Sequence, residues 1–254
     1  MPATPITATF LKVFGHRGRC HFTIVDDRLL PMIPKAHPTS GPCNRVRITK
    51  PFYLGVYEVT QEQYERIMDK NPSSVYLGST QGFKGPFHPV NNVSWYDAVE
   101  FCKKLSAQEG RIYRLPTEAQ WEYACRAGTT TPFNFGSALN GKQANCLGKK
   151  EPYGTDMTGP YLARTTIVGS YAANAFGLYD MHGNIEEWCA DWHDWHYYEN
   201  SITDDPTGPT TGSDRILRGG DWVSRPKQCR SAYRNRITPS KSYQITGFRV
   251  VLVP

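Results

Sequence analysis

Asp180 and Glu187 flank Gly183 in the run Asp180-Met-His-Gly183-Asn-Ile185-Glu-Glu187-Trp188. Oxygen donors arranged around a glycine bend suit calcium, which takes about six to eight oxygens from carboxylates and backbone carbonyls. Asp and Gly also build ordinary turns, so the residue types alone leave a metal site and a plain turn both open. Nearby, His182, Cys189, His193 and His196 offer nitrogen and sulfur. Their Cys-x3-His-x2-His spacing departs from the paired ligand sets of structural zinc sites, and Trp188, Trp192 and Trp195 interleave with them. Packed or surface aromatics explain that run better. Cys229 is a candidate nucleophile, lying between Gln228 and Arg230. Neighbouring guanidinium groups would activate its thiol, whereas a cysteine packed under a loop is inert. The seven histidines are scattered, and no Ser–His–Asp triad can be drawn from spacing.

The elements that must position these residues announce themselves by their starts. Thr60 precedes a helix expected over 61–69, Ser94 one over 95–109, and Thr117 one over 118–127. Each hydroxyl can accept a first-turn N–H, and Gln63 and Gln120 complete capping boxes. Gly110 and Gly128 follow the second and third helices, where a left-handed residue ends the helix. Trp95, Val99, Cys102 and Leu105 form one apolar stripe at helical spacing. Strands are expected over 7–13, 21–25, 45–50, 52–59, 164–171, 215–217 and 247–253. Pro31, Pro34, Pro38 and Pro42 interrupt the chain between the second and third of these. Residues 129–175 are rich in Gly, Asn, Pro and Thr, and a long ordered loop region of that kind usually has a function or a bound ion to pin it.

Composition narrows the classes. With 39% hydrophobic and 20% charged residues over 254 positions, the chain can bury a core. No apolar run approaches the length of a membrane span. The net charge of +6 is spread out, with a mild cluster between Arg215 and Arg236, which reads as a solvated surface rather than a nucleic-acid footprint. Seven cysteines with no CxxC exclude a disulfide mini-scaffold and a zinc ribbon. The 22 Gly, 19 Pro and 13% aromatics exclude a repetitive helical bundle and predict a loop-rich domain held by aromatic packing. The start, with Lys12 inside its apolar part, makes a poor signal peptide, so the chain as given is expected in the cytoplasm, or exported if its true N-terminus lies elsewhere.

Five ordered motifs then carry a resemblance: Pro89-Val-Asn-Asn-Val-Ser-Trp-Tyr-Asp-Ala, Arg114-Leu-Pro-Thr-Glu-Ala-Gln-Trp-Glu-Tyr-Ala, Gly177-Leu-Tyr-Asp-Met-His-Gly-Asn-Ile-Glu-Glu-Trp, Arg218-Gly-Gly-Asp-Trp and Gly247-Phe-Arg. Together they resemble the sulfatase-modifying-factor, or formylglycine-generating enzyme, domain family over about residues 45–252. The resemblance implies an α+β, C-type-lectin-like fold with few regular elements and much ordered loop. It divides the chain into a divergent N-terminal segment, 1–44, and a family-like domain, 45–254. The family's Ile-Pro-Gly-Gly-x-Phe-x-Met-Gly-Ser-like opening motif is missing. The resemblance also implies a Ca²⁺ held by Asp180, the carbonyls of Gly183 and Ile185, and Glu187. For a second Ca²⁺ it implies Asn145 and the carbonyl of Cys146. There Pro160 stands where an acid is expected, with Asp156 as its substitute.

The family's enzymes use O₂ and a Cu(I) ion held by a Cys-x4-Cys pair to oxidise a sulfatase cysteine to formylglycine. Here that window holds Cys229 but Ser224 in place of the first cysteine, with Asp221 and Arg225 also changed from the usual serine and histidine. Oxygen is a poor ligand for Cu(I), so the oxidase chemistry is not expected to survive. The reading that follows is a calcium-stabilised recognition module for a protein or small ligand. Its ligand-facing residues would be Trp222, Ser224, Arg225 and Lys227, followed by Tyr233, Arg234, Arg236 and Tyr243. A copper oxidase acting on a sulfatase polypeptide is the alternative. The polar segment between Arg218-Gly-Gly and Gly247-Phe-Arg also resembles, more weakly, ligand-binding variable proteins diversified by retroelements.

Overall fold

All three helices begin where their hydroxyl residues stand. In this computed structural model, which describes residues 10–13, 21–22, 46–74, 84–199 and 201–254, α1 spans Gln61–Met68, α2 Trp95–Glu109 and α3 Glu118–Arg126. Thr60, Ser94 and Thr117 each close a capping box, and Asp97 takes the role in α2 that glutamine takes in the others. α3 ends one residue before the expected position. Ala127 is already left-handed, with φ 47°, and Gly128 follows with φ 90°.

Among the described residues there are also ten short strands: β1 Phe10–Val13, β2 His21–Phe22, β3 Val46–Arg47, β4 Phe52–Gly55, β5 Tyr113–Arg114, β6 Glu186–Trp192, β7 Arg215–Arg218, β8 Asn235–Ile237, β9 Thr246–Gly247 and β10 Val251–Leu252. One antiparallel sheet runs β1-β4-β10-β5, and β2 pairs with β3. The other sheet runs β8-β7-β6-β9, antiparallel except where β6 meets β9. One apolar cluster gathers Tyr64, Phe101, Leu105, Trp188 and Phe248; a second gathers Phe52, Leu54, Trp121, Leu178 and Ile216.

Several expectations are corrected. Residues 164–171 form turns rather than a strand, because side chains and not a ladder hold them. Asn184 accepts the Thr166 N–H at 2.8 Å, and Asp180 accepts the Gly169 N–H at 2.6 Å. The strand expected over 52–59 stops at Gly55, and that over 45–50 is only Val46–Arg47. The strand expected over 247–253 is two pieces in two sheets, β9 and β10, so this segment crosses between them and leaves Phe248 and Arg249 at the junction. Of the first two expected strands only Phe10–Val13 and His21–Phe22 are described; the remainder lies outside the described residues. β6 was not anticipated. Its Glu186, Glu187 and Asp191 lower β-propensity, yet all three are buried.

Candidate functional site

The Asp180–Glu187 loop is a crossing point of three chain segments. Asp180, Gly183 and Asn184 all have positive φ. A Cβ on Gly183 would lie 2.3 Å from the Asn145 carbonyl oxygen, so only glycine fits there. Gly183 donates to Gly219 O and Asn184 to Asn145 O, both at 2.8 Å. The Asn184 side chain donates to Glu58 at 3.0 Å. Arg249 clamps both oxygens of Glu187 at 2.6 and 2.7 Å, and the Trp121 indole N–H adds a third donor at 2.8 Å.

Three buried carboxylates, Glu58, Asp180 and Glu187, thus share the single guanidinium of Arg249. Burying uncompensated negative charge is costly, so protons or a cation must offset it. Burial pushes Asp180 up to about 6. Burial first, and then Asp180, hold Glu58 well above the carboxylate range, and its Oε2 has no hydrogen-bond partner. Sequence reasoning missed Glu58. The signal was there: Phe52, Leu54 and Val56 point inward at period two, and Glu58 is next in that phase.

Calcium fits part of this arrangement. Three donors on Glu187 leave about one of its roughly four lone-pair sites, and Asp180 gives one oxygen to Gly169. Asn145 is 2% exposed. Its amide nitrogen is anchored to Arg164 O at 2.8 Å and Asn184 Oδ1 at 3.1 Å, while its Oδ1 has no partner. Such an atom is placed to meet a cation. Asp156 is exposed and joins none of the hydrogen bonds of Asn145. Among the described residues no three His, Cys, Asp or Glu side chains converge on one point, so any ion here would draw on carbonyl and amide oxygens.

Copper(I) does not fit its window. Asp221 N–H donates to Ser224 Oγ at 3.0 Å, and that hydroxyl donates to Asp221 Oδ2 at 2.9 Å, which closes a small ring. Cys229 is 0% exposed, packed with Phe133, Leu139, Ala144 and Cys146. A hydroxyl fixed by a carboxylate and a thiol sunk in an apolar cluster make no soft two-ligand site.

The expected recognition surface divides. Trp222, Ser224 and Arg234 are buried, and Arg234 pairs with Glu118 at 2.7 Å, so these three do not face solvent. Arg236 lies over the Trp195 ring, and Tyr243 is exposed at a loop whose carbonyl accepts from Asn92. Arg225, Lys227 and Tyr233 come together with Gln228 and Arg230 around a cavity of about 340 Å³. Glu151 bridges Arg225 at 2.9 Å and Lys227 at 3.5 Å. The four residues weighed for zinc are dispersed. His182 donates from Nδ1 to Cys229 O at 2.7 Å and accepts the Asn134 N–H on Nε2, and burial lowers its pKa to about 4, so it stays neutral. His196 is exposed beside Glu199, and Cys189 is buried in the core.

A model described as the sulfatase-modifying factor enzyme 1-like domain matches residues 18–253. The chain belongs to this family. Within the sulfatase-modifying-factor relatives, the formylglycine-generating enzyme of Streptomyces coelicolor is 39% identical over 171 residues, 65% of this chain and 52% of that enzyme. The serine/threonine-protein kinase pkn1 of Chlamydia caviae is 34% identical over 221 residues, 78% of this chain but 32% of the kinase. The chain therefore spans about a third of that kinase and about half of the Streptomyces enzyme. Among solved structures, Treponema denticola variable protein 1 superposes with a TM-score of 0.70 at 28% identity, covering 85% of this chain and 89% of its own. Mixed helix and sheet with few regular elements is the shared architecture.

A buried acid beside the Arg-rich strand gives a pH prediction. Burial, then Glu118, push Asp191 up to about 7, although it accepts the Glu118 N–H at 2.8 Å. The folded chain then holds a proton that an unfolded aspartate releases near pH 4, so this stability is lost as pH rises through about 7. Buried His182 acts with the opposite sign but only below about pH 6.5, where an unfolded histidine would titrate. Between pH 6.5 and 8, denaturant titrations should show about 1 kcal/mol of stability lost to Asp191, and Asp191→Asn should remove that part of the slope. An unchanged slope in the variant would contradict the assignment.

Proposed function

We propose that this family member is a recognition module and not a copper oxidase, and that it binds a ligand carrying an anionic group in the cavity formed by Arg225, Lys227, Gln228, Arg230 and Tyr233. The observation that carries the reading is the pairing of Glu151 with both Arg225 and Lys227. The protein's own carboxylate is the kind of group that these cations pair with, which supports an anionic ligand. Arg and Tyr are also the side chains that anchor interfaces, because they combine large contact area with directed hydrogen bonds. One relative of the fold is named a variable protein, in keeping with a polar segment framed by Arg218-Gly-Gly and Gly247-Phe-Arg. Ca²⁺ at the Asp180–Glu187 loop and at Asn145 would offset the carboxylate excess behind this surface.

The competing reading is oxidation of a sulfatase cysteine, favoured by the 39% identity to a formylglycine-generating enzyme. One set of measurements separates the two. A Cu(I) titration against a competing chelator, with O₂-dependent conversion of a Cys-x-Pro-x-Arg peptide as activity readout, should give neither stoichiometric binding nor turnover. Ser224→Cys alone should not restore them, because Cys229 stays buried. Tight binding with turnover in the wild-type chain would overturn the proposal. A labelled oligoglutamate peptide should bind with marked salt dependence, and Arg225→Glu should weaken it about tenfold or more; equal binding to the variant would remove the cavity from the reading. Calcium at about a hundredfold its Kd should raise Tm by roughly 5–10 °C over a chelator control. Asp180→Asn should shrink that difference, and an unchanged difference would defeat the ion at that loop.

A further inference from the structure

Cys146 and Cys229 lie 83 positions apart, yet both belong to one small apolar cluster with Phe133, Leu139 and Ala144. Both are free thiols in the structure and almost fully buried, at 1% and 0% exposure, so two of the five buried residues of this cluster are cysteines. Backbone contacts fix both approaches. Leu147 N–H donates to Ser224 O at 2.9 Å, Asn145 O accepts the Asn184 N–H at 2.8 Å, and Cys229 O accepts from His182 at 2.7 Å. Cys102 lies in one of the two larger core clusters, and Cys125 and Cys189 are spread through the other. Cys146 stands in the irregular region 129–175, which has no helix or sheet strand of its own. Cys229 ends the short turn Pro226–Cys229 that carries Lys227 and Gln228 into the cation-lined cavity.

We propose that Cys146 and Cys229 form a disulfide that ties the irregular 129–175 region to the turn Pro226–Cys229, which contributes Lys227 and Gln228 to the cation-lined cavity. The reaction balances by thiol–disulfide exchange. One thiolate attacks oxidised glutathione and releases one glutathione thiolate, giving a mixed disulfide. The second thiolate displaces the other glutathione and closes the S–S bond. The two cysteines lose two protons and two electrons, and oxidised glutathione becomes two reduced glutathiones. In the closed cluster the neighbouring Cys146, and then burial, hold the Cys229 thiol well above its ordinary range, which makes the folded dithiol slow to react. The bond therefore forms during folding, before the cluster closes.

The test is to unfold and reduce the full chain, refold it in a glutathione redox buffer, alkylate remaining thiols under denaturing conditions, and map the digest by mass spectrometry. The expected product joins the peptides holding Cys146 and Cys229, with Cys102, Cys125 and Cys189 alkylated. Reduction should then lower Tm by on the order of 10 °C, given the long loop closed. Cys146→Ala and Cys229→Ala should each abolish the reductant-dependent difference, and the double variant should be no less stable than the worse single one. Recovery of both cysteines as free thiols, or of Cys229 joined to Cys20 or Cys43, would overturn the proposal. The wild-type map decides the matter even if a variant fails to fold.

Discussion

Replacing Arg249 with methionine should cost about 4 kcal/mol of unfolding free energy, near the largest loss any single substitution in this chain can cause. The guanidinium is fully buried and clamps Glu187 through two hydrogen bonds. It also donates to Gly55 O at 3.0 Å, Val56 O at 3.3 Å and Tyr179 O at 2.9 Å. Methionine fills much of the volume but leaves Glu187 with one donor, Trp121, and removes the guanidinium that acts on Glu58 and Asp180. The uncompensated buried carboxylate accounts for about half of the loss, and the three stranded carbonyls together for the rest. Adding Glu187→Gln should restore about half by removing the stranded charge, while the carbonyls remain unserved. Urea unfolding followed by tryptophan fluorescence measures both variants. A single-variant loss below about 1 kcal/mol would show that the cluster is not held by this ion pair, and a purely additive double variant would show that Arg249 and Glu187 are uncoupled.

The same cluster shows where the sequence is transparent and where it is not. Helix starts were legible because a cap is a local bargain between a hydroxyl and the backbone three residues on, and Thr60, Ser94 and Thr117 each keep it. The motifs fixed the family, and the loop around Gly183 was visible as a bend between acids. Strands were legible less often. Those called over 164–171 and 247–253 have β-type residues, but side-chain anchors from Asn184 and Asp180 claim the first, and a crossing between sheets divides the second. β6 was hidden for the converse reason: Arg249 pairs with Glu187, Asn235 serves Glu186, and burial pushes Asp191 up to about 7, all through residues far away in sequence. Burial is a tertiary fact. Arg234 and Trp222 looked like surface anchors because their residue types favour interfaces, and only the position of Glu118 shows that Arg234 belongs to the interior. Nor could spacing show that Cys229 packs with Cys146 rather than with position 224, because 82 intervening residues set that placement.

Arg218, the first residue of the Arg-Gly-Gly motif, should cost less than Arg249 when replaced by methionine, about 3 kcal/mol, although it too is 0% exposed. The difference lies in what is left behind. Arg218 bonds Glu122 and approaches Glu118 to 3.6 Å, and it donates to the carbonyls of Ser231 and Tyr233. Each acid has a second arginine: Arg126 holds Glu122 at 2.8 Å, and Arg234 holds Glu118 at 2.7 Å. Burial raises the pKa of Glu118, but Arg234 and then Arg218 outweigh it and leave the group below its ordinary value. Losing one of two cations therefore weakens the compensation without abolishing it. Arg218→Lys should still cost about 2 kcal/mol, because one ammonium cannot span an acid on α3 and two carbonyls at 231 and 233 as a planar fork does. A cycle of Arg218→Met with Glu122→Gln should return a coupling of about 1–2 kcal/mol. A coupling near zero, or a lysine variant as stable as the wild type, would mean that the motif's arginine acts by filling space rather than by joining α3 to the segment that carries Tyr233 and the cation-lined cavity.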